Sequence, residues 1–217
     1  MEIKYWSDIA CPFCYIGSTR MKRALKELGL AATTPLEFKA FQLDPTLPTT
    51  TKADMVTNFS TGHGMSRDQA RAQMNQIAAM GAEDGLKVDL INAVPTNTLD
   101  AHRVIKFAAT KHDADLTERV INALYQVYFS QGESIADHAV LTAAAVKSGL
   151  DATEVQAVLA SNQFEQAVRT DEAEAQQLGI HGAPFFVINN HYGISGAQPY
   201  DTMVDALKQI QAKEVEA

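Results

Sequence analysis

The chain has 217 residues, 46% hydrophobic and 20% charged, the make-up of a soluble globular protein with room for one large domain or a small domain carrying an insertion. A formal net charge of −8 with no Lys/Arg cluster argues against a nucleic-acid or anionic-membrane surface, and no apolar run approaches the roughly 20 residues needed to cross a bilayer. Only two cysteines are present, too few for a disulfide framework.

The first residues, MEIKYWSDIACP, hold no apolar stretch of signal-peptide length, which predicts a cytoplasmic location. EIKYWS, at 2–7, carries β-branched and aromatic residues and reads as a strand entering the core. Pro12 then sits where a helix tolerates proline, at its first turn. Tyr15, Ile16, Met21, Ala24, Leu25 and Leu28 follow at helical spacing, with Gly29 as a stop. LEFKAFQL, at 36–43, reads as a second strand, so both cysteines, Cys11 and Cys14, fall at the first strand-to-helix junction.

From Thr51 to about Leu178 the pattern turns helical. Ser66 with Gln69 and Asp151 with Glu154 resemble capping boxes, while Gly149 and Gly179 supply stops. One helical stripe holds Val104, Phe107, Ala108 and Lys111, and another holds Ile121, Leu124, Tyr125 and Tyr128. Strand chemistry returns in PFFVIN at 184–189, with Asn189-Asn190 as a turn, HYGISG as a partner strand, and a closing helix over 199–211. The order is β-α-β, a block of helices, then β-β-α.

That order, with C-x-x-C at the first junction and Gly-Ala-Pro before the third strand, resembles the thioredoxin fold interrupted by a helical insertion. It is similar to the DsbA-like family, and within it to the FrnE-like subfamily of dithiol–disulfide oxidoreductases. The matching pieces are SDIACPFCYIG at the start, PTNTLDAHRV at 95–104 and GAPFFVINNHYGISGAQP at 182–199. The resemblance implies an α/β thioredoxin-like domain made of residues 1–50 and 179–217, with 51–178 as an inserted all-helical domain. It also implies a cis Pro184 set against the cysteines, and an Ala183 backbone able to pair with an extended substrate. Pro12 and Phe13 complete the predicted substrate-contacting set. Strongly oxidising members carry a histidine beside the proline; Phe13 provides no such donor, which predicts a less oxidising pair.

The chemistry can be argued from the residues as well. A thiolate is the nucleophile, and a sulfur at a helix N-terminus faces free N–H groups and the positive end of the helix dipole. Cys11 holds that place and is expected to attack; Cys14, a turn further in and more buried, is expected to resolve the mixed disulfide. Asp8 has two readings, a proton acceptor or charge acting on the thiols and a loop aspartate bonded to nearby backbone; turn-residue statistics favour the second. His102 has two as well, facing the cysteines or standing as a satisfied or solvent-facing helix residue, and a lone histidine favours the latter. His181 precedes the proline loop with no assigned role. Phe41, Phe185, Phe186, Tyr125 and Tyr128 read as core.

No metal is expected, since a C-x-x-C zinc site needs a second pair and none of the six histidines has ligand spacing. The expected partners are disulfide-containing proteins or small molecules, with glutathione as a redox partner and no organic cofactor; monomer and homodimer both fit. Two other functions are compatible with the fold. One is a glutathione-dependent transferase or isomerase of the kappa-class or 2-hydroxychromene-2-carboxylate isomerase type, whose members carry serine at the first cysteine position. The other is a non-catalytic, chaperone-like binding protein.

Overall fold

The computed structural model describes residues 1–216, so the predicted domain end at 217 lies outside the described residues. Strand β1 (Ile3–Ser7) leads into helix α1 (Pro12–Glu27) and then strand β2 (Leu36–Ala40), which pairs parallel with β1 from Ile3↔Leu36 to Ser7↔Ala40. Strands β3 (Phe185–Ile188) and β4 (Tyr192–Ser195) extend the other side of β1 antiparallel, giving a four-stranded sheet in the order β2-β1-β3-β4. Asn189 and Asn190, at φ 50° and 57°, both take the left-handed conformation that a two-residue hairpin turn requires.

β2 is shorter than the sequence predicts. After Ala40 the alternation fails, and the chain leaves the sheet with the Phe41 N–H still bonded to the Ser7 carbonyl at 3.1 Å. Between the two halves of the sheet lie α2 (Met55–Gly62), α3 (Arg67–Glu83), α4 (Leu99–Ala109), α5 (Ala114–Tyr125), a π-helical turn over Gln126–Gln131, α6 (His138–Ser148), α7 (Ala152–Leu159) and α8 (Glu165–Gln177). Helix α9 (Tyr200–Glu216) closes the chain against α1.

Ser66 and Gln69 form the reciprocal capping box that the sequence predicts. Asp151 caps only the Glu154 N–H, because the Glu154 carboxylate pairs instead with Lys111 at 2.8 Å. On the predicted α4 stripe Val104, Phe107 and Ala108 are buried, whereas the Lys111 ammonium lies 4.6 Å from the Phe107 ring centroid and stays in water.

Pairing register fixes what each face of the sheet meets. Ile3, Tyr5, Phe38, Phe186 and Ile188 share one face and join the main core, with Tyr5 edge-on to Phe38 and stacked on Phe186. Trp6 points the other way, packs against Ala175 of α8, and donates its indole N–H to the Asp171 carbonyl at 2.9 Å. Ser7, at the end of β1, shares the Tyr5 face and so delivers its hydroxyl beneath the first turn of α1.

Candidate active site

Cys11 is the N-cap of α1. Its backbone is extended (φ −95°, ψ 112°), and its Sγ accepts the Cys14 N–H at 3.3 Å, the bond a capping serine or aspartate normally makes. Negative charge on this sulfur therefore meets an N–H donor and the positive end of a helix whose first turn holds no acidic side chain. On its other side the Cys11 thiol donates to the Ala183 carbonyl at 3.6 Å, and the Ala183–Pro184 peptide is cis.

Contacts from α1 hold that loop. A Cβ at Gly17 would stand 3.0 Å from Pro184 Cγ and 3.4 Å from Ala197 Cα, so only glycine lets α1 approach it so closely. One turn on, Arg20 donates to the carbonyls of Ala197 and Gln198 at 3.3 and 3.2 Å, and its Nε pairs with Asp84 at 2.6 Å.

Cys14 is fully buried, and Cys11 is only 2% exposed. They differ in what they face: Cys11 lines a cavity, whereas Cys14 points into the core. The Asp8 N–H lies 3.4 Å from the Cys14 Sγ. Tyr125 Oη lies 2.8 Å from Ser7 Oγ and 3.4 Å from the Asp8 carbonyl. Burial, with the neighbouring Cys11, pushes the Cys14 thiol well above its ordinary value, opposed by the Asp8 N–H and the Ser7 hydroxyl. Burial likewise raises the Tyr125 phenol, which stays neutral.

Tyr125 ends α5 at the point where the helix widens into the π turn, a local departure frequent at functional sites. Its ring stacks on Tyr15 of α1 at 4.5 Å between centroids. Tyr125 and Tyr128 are core residues, as the sequence predicts, yet Tyr128 also lines the cavity and the Tyr125 hydroxyl meets that of Ser7. Reading Ser7 on the Tyr5 face by the strand's period of two would have found that half of the pair. Nothing in the sequence marks the π turn.

Asp8 is 1% exposed and lines the cavity. Its Oδ2 accepts the Leu43 N–H at 2.8 Å; its Oδ1 accepts the Ala10 N–H at 3.4 Å and His102 Nε2–H at 3.2 Å. The backbone bonds are those expected of a loop aspartate, but the histidine contact comes from α4, 94 residues away. His102 is therefore neither solvent-facing nor satisfied, which corrects the favoured sequence reading: it is fully buried, and its Nδ1 has no hydrogen-bond partner. The helical block packs directly over the cysteine loop, so this helix face is interior. His181, by contrast, is exposed and does not line the cavity.

The cavity measures about 430 Å³ and opens between the cysteine loop and helices α2 and α3. Cys11, Pro12, Phe13 and Ala183 form one wall; Leu43, Leu47, Met55, Phe59, Ile77 and Leu90 supply much of the rest. Phe13 is 38% exposed at this opening, while Pro184 is buried against Gly17. Among the described residues no group of three His, Cys, Asp or Glu side chains is placed to hold a metal ion, and no helix is long and apolar enough to cross a membrane.

Residues 2–208 match the family model of the DSBA-like thioredoxin domain. The structure is similar to that of the probable DsbA oxidoreductase SCO1869 from Streptomyces coelicolor, at TM-score 0.92 and 36% identity over 98% of this chain and 90% of that one. The uncharacterized protein YwbO of Bacillus subtilis is 25% identical over 99% of both chains. The cytosolic disulfide reductase DsbM from Pseudomonas aeruginosa, solved with GSH, shares the fold at TM-score 0.62 and 20% identity over 97% of this chain and all of that one. The family match takes in both cysteines, the loop that faces them and every helix from α1 to α8: the chain belongs to the DSBA-like thioredoxin domain family, on a thiol–disulfide oxidoreductase fold.

Proposed function

We propose that the protein is a dithiol–disulfide oxidoreductase of the FrnE-like kind, acting in a reducing, cytoplasmic setting on disulfides of proteins or small molecules. The observation that carries this reading is the position of the Cys11 sulfur, between the Cys14 N–H and the Ala183 carbonyl and at the wall of a cavity.

The Cys11 thiolate attacks one sulfur of the substrate disulfide; that S–S bond breaks, a mixed disulfide forms, and the other sulfur leaves as a thiolate. Cys14 then gives up its proton and attacks the Cys11 sulfur, closing the Cys11–Cys14 disulfide and releasing the second substrate sulfur. The substrate is reduced by two electrons and the pair is oxidised by two. Asp8 touches Cys14 through its N–H and carries a carboxylate on the cavity side, which supports it as acceptor of the Cys14 proton and donor to the departing thiolate. The Ala183 backbone beside the sulfur offers an edge to an extended substrate segment. Phe13, with no donor to give the thiolate, supports a pair on the reducing or isomerising side. Glutathione is one thiol that could return electrons to it.

Insulin reduction tests the reading. Wild-type protein is expected to turn over with a thiol reductant, Cys11→Ser to be inactive, and Cys14→Ser to accumulate substrate as a mixed disulfide on Cys11. Glutathione conjugation that survives Cys14→Ser would replace this reading with the transferase one. A wild type without turnover that still suppresses aggregation would replace it with the chaperone one.

A further inference from the structure

We infer that the cavity beside Cys11 selects its disulfide by charge, taking apolar substrates that are uncharged or cationic around the sulfur and disfavouring those that carry carboxylates there. This deepens the proposed function and rests on it. The walls are aliphatic and aromatic, and no lysine or arginine lines them. The ionisable groups that do are Asp8, Asp44, His63, Tyr128 and Cys11 itself. Asp8 is buried and bonded by the Leu43 and Ala10 N–H groups and by His102 Nε2–H, with no lysine or arginine on it. Asp44 stands exposed at the opening, with its carboxylate accepting the Thr46 N–H and hydroxyl at 3.0 and 2.6 Å. His63 stacks on Phe59 at 4.1 Å between ring centroids, and its Nδ1–H is directed at the Phe59 carbonyl at 2.9 Å. Burial raises the Tyr128 phenol, which stays neutral, and the positive end of α1 is already occupied by the Cys11 sulfur.

A carboxylate entering this space finds Asp8 and Asp44 and, among the described residues, no lysine or arginine. Recognition of carboxylates normally relies on arginine forks or clustered N–H groups. Glutathione carries two carboxylates, so the same reasoning ranks it below uncharged thiols as the reductant of the oxidised pair. An apolar group flanking the disulfide instead covers the wall formed by Leu47, Met55, Phe59 and Leu90, removing that surface from water.

The test uses the full chain with Cys14→Ser, so that only the first exchange is read, and three disulfides: cationic cystamine, neutral 4,4′-dithiodipyridine and the dianion DTNB. In each case the Cys11 thiolate forms one S–S bond, the probe's S–S bond breaks, and one thiolate is released and measured. Each rate is divided by that of a short uncharged cysteine peptide with the same probe, which removes leaving-group differences. Cystamine and dithiodipyridine are expected to exceed DTNB by roughly tenfold, since each like-charge contact at about 6 Å in water costs roughly threefold. About 1 M salt should erase most of the gap. Asp44→Asn should raise the DTNB rate relative to dithiodipyridine roughly threefold and Asp44→Lys roughly tenfold. Equal normalised rates, or ratios unmoved by both variants, would overturn charge selection while leaving the redox reading intact. Absence of any mixed disulfide on Cys11 with all three probes would instead remove the redox reading itself.

Discussion

Among the described residues Asp8 and Asp171 are both buried and both touched by α4, through His102 and Lys106, and their surroundings differ in one respect. Asp171 of α8, 4% exposed, receives Lys39 at 3.7 Å, a close ion pair from Lys106, and the Ala40 N–H at 2.7 Å. Asp8, 1% exposed, receives two backbone N–H groups and one imidazole, with no lysine or arginine. A carboxylate that only holds a fold is stable where lysines pair with it; one without a lysine or arginine beside a cavity keeps its charge available to whatever enters. Lys39 shows the coupling on the Asp171 side: burial pulls its ammonium down, but Glu37, Asp171 and Glu174 together push it well above its ordinary value.

The largest test breaks the Asp171 side. Asp171→Asn keeps an acceptor for the Ala40 N–H but leaves the mostly buried Lys106 ammonium without its counterion, while Lys39 keeps Glu37 and Glu174 at 2.8 and 3.1 Å. Loss of about 3 kcal/mol is expected, seen as a fall of roughly 6–12 °C in Tm. Insulin reduction per folded molecule should stay within about twofold of wild type. A stability loss below about 1 kcal/mol would mean that the lysines escape to water and that Asp171 is not the fold-holding member of the comparison.

Asp8→Asn should do the reverse. Stability falls by about 1–2 kcal/mol, since an amide oxygen in the Oδ1 place keeps the Ala10 and His102 bonds and only the Leu43 N–H goes unpaired. Resolution of the mixed disulfide by Cys14 slows by roughly 100-fold, the lower end of what a positioned proton acceptor contributes. The readout is release of the second substrate thiol in a single turnover. In the variant that release should rise about tenfold for each pH unit, as hydroxide replaces the carboxylate. An unchanged rate with a flat profile would reduce Asp8 to a loop anchor.

Much of this site is legible in the sequence because its elements are contiguous. Cys11, Pro12 and Cys14 follow a strand, so spacing and turn chemistry place them at the helix start, whereas the setting of Ala183-Pro184 against them is expected from the family resemblance alone. The contacts that give Asp8 and Cys14 their electrostatic setting are not local. His102 reaches Asp8 from α4, and Tyr125 reaches Ser7 from the end of α5, contacts between distant segments that carry no propensity signal. Gly17 shows the same limit: within YIGSTR it reads as an ordinary helix glycine, and its necessity appears only when Pro184 and Ala197 are set against it. Apolar periodicity reports which face of a helix is buried, not what it is buried against.

The smallest expected effect sharpens the comparison by extending it from carboxylates to sulfur. Like Asp8, Cys14 has no lysine or arginine on it; the Asp8 N–H and the Ser7 hydroxyl favour its thiolate, but burial holds its thiol well above the ordinary range. A group whose folded-state pKa is raised contributes stability that is complete below its unfolded value and is lost as pH rises through the folded one. The dithiol form should therefore lose stability relative to the disulfide form above about pH 8.5, by about 1.4 kcal/mol for each pH unit until Cys14 ionises in the native state. The buried phenols of Tyr5 and Tyr125 are present in both forms and largely cancel in the difference. Urea unfolding of both forms at pH 7 and pH 10 measures it, with Cys14→Ala expected to flatten the dependence. A gap between the two forms that is the same at both pH values would show that the native state supplies Cys14 with compensating charge, and the contrast between cation-paired and neutrally bonded groups would then stop at the carboxylates.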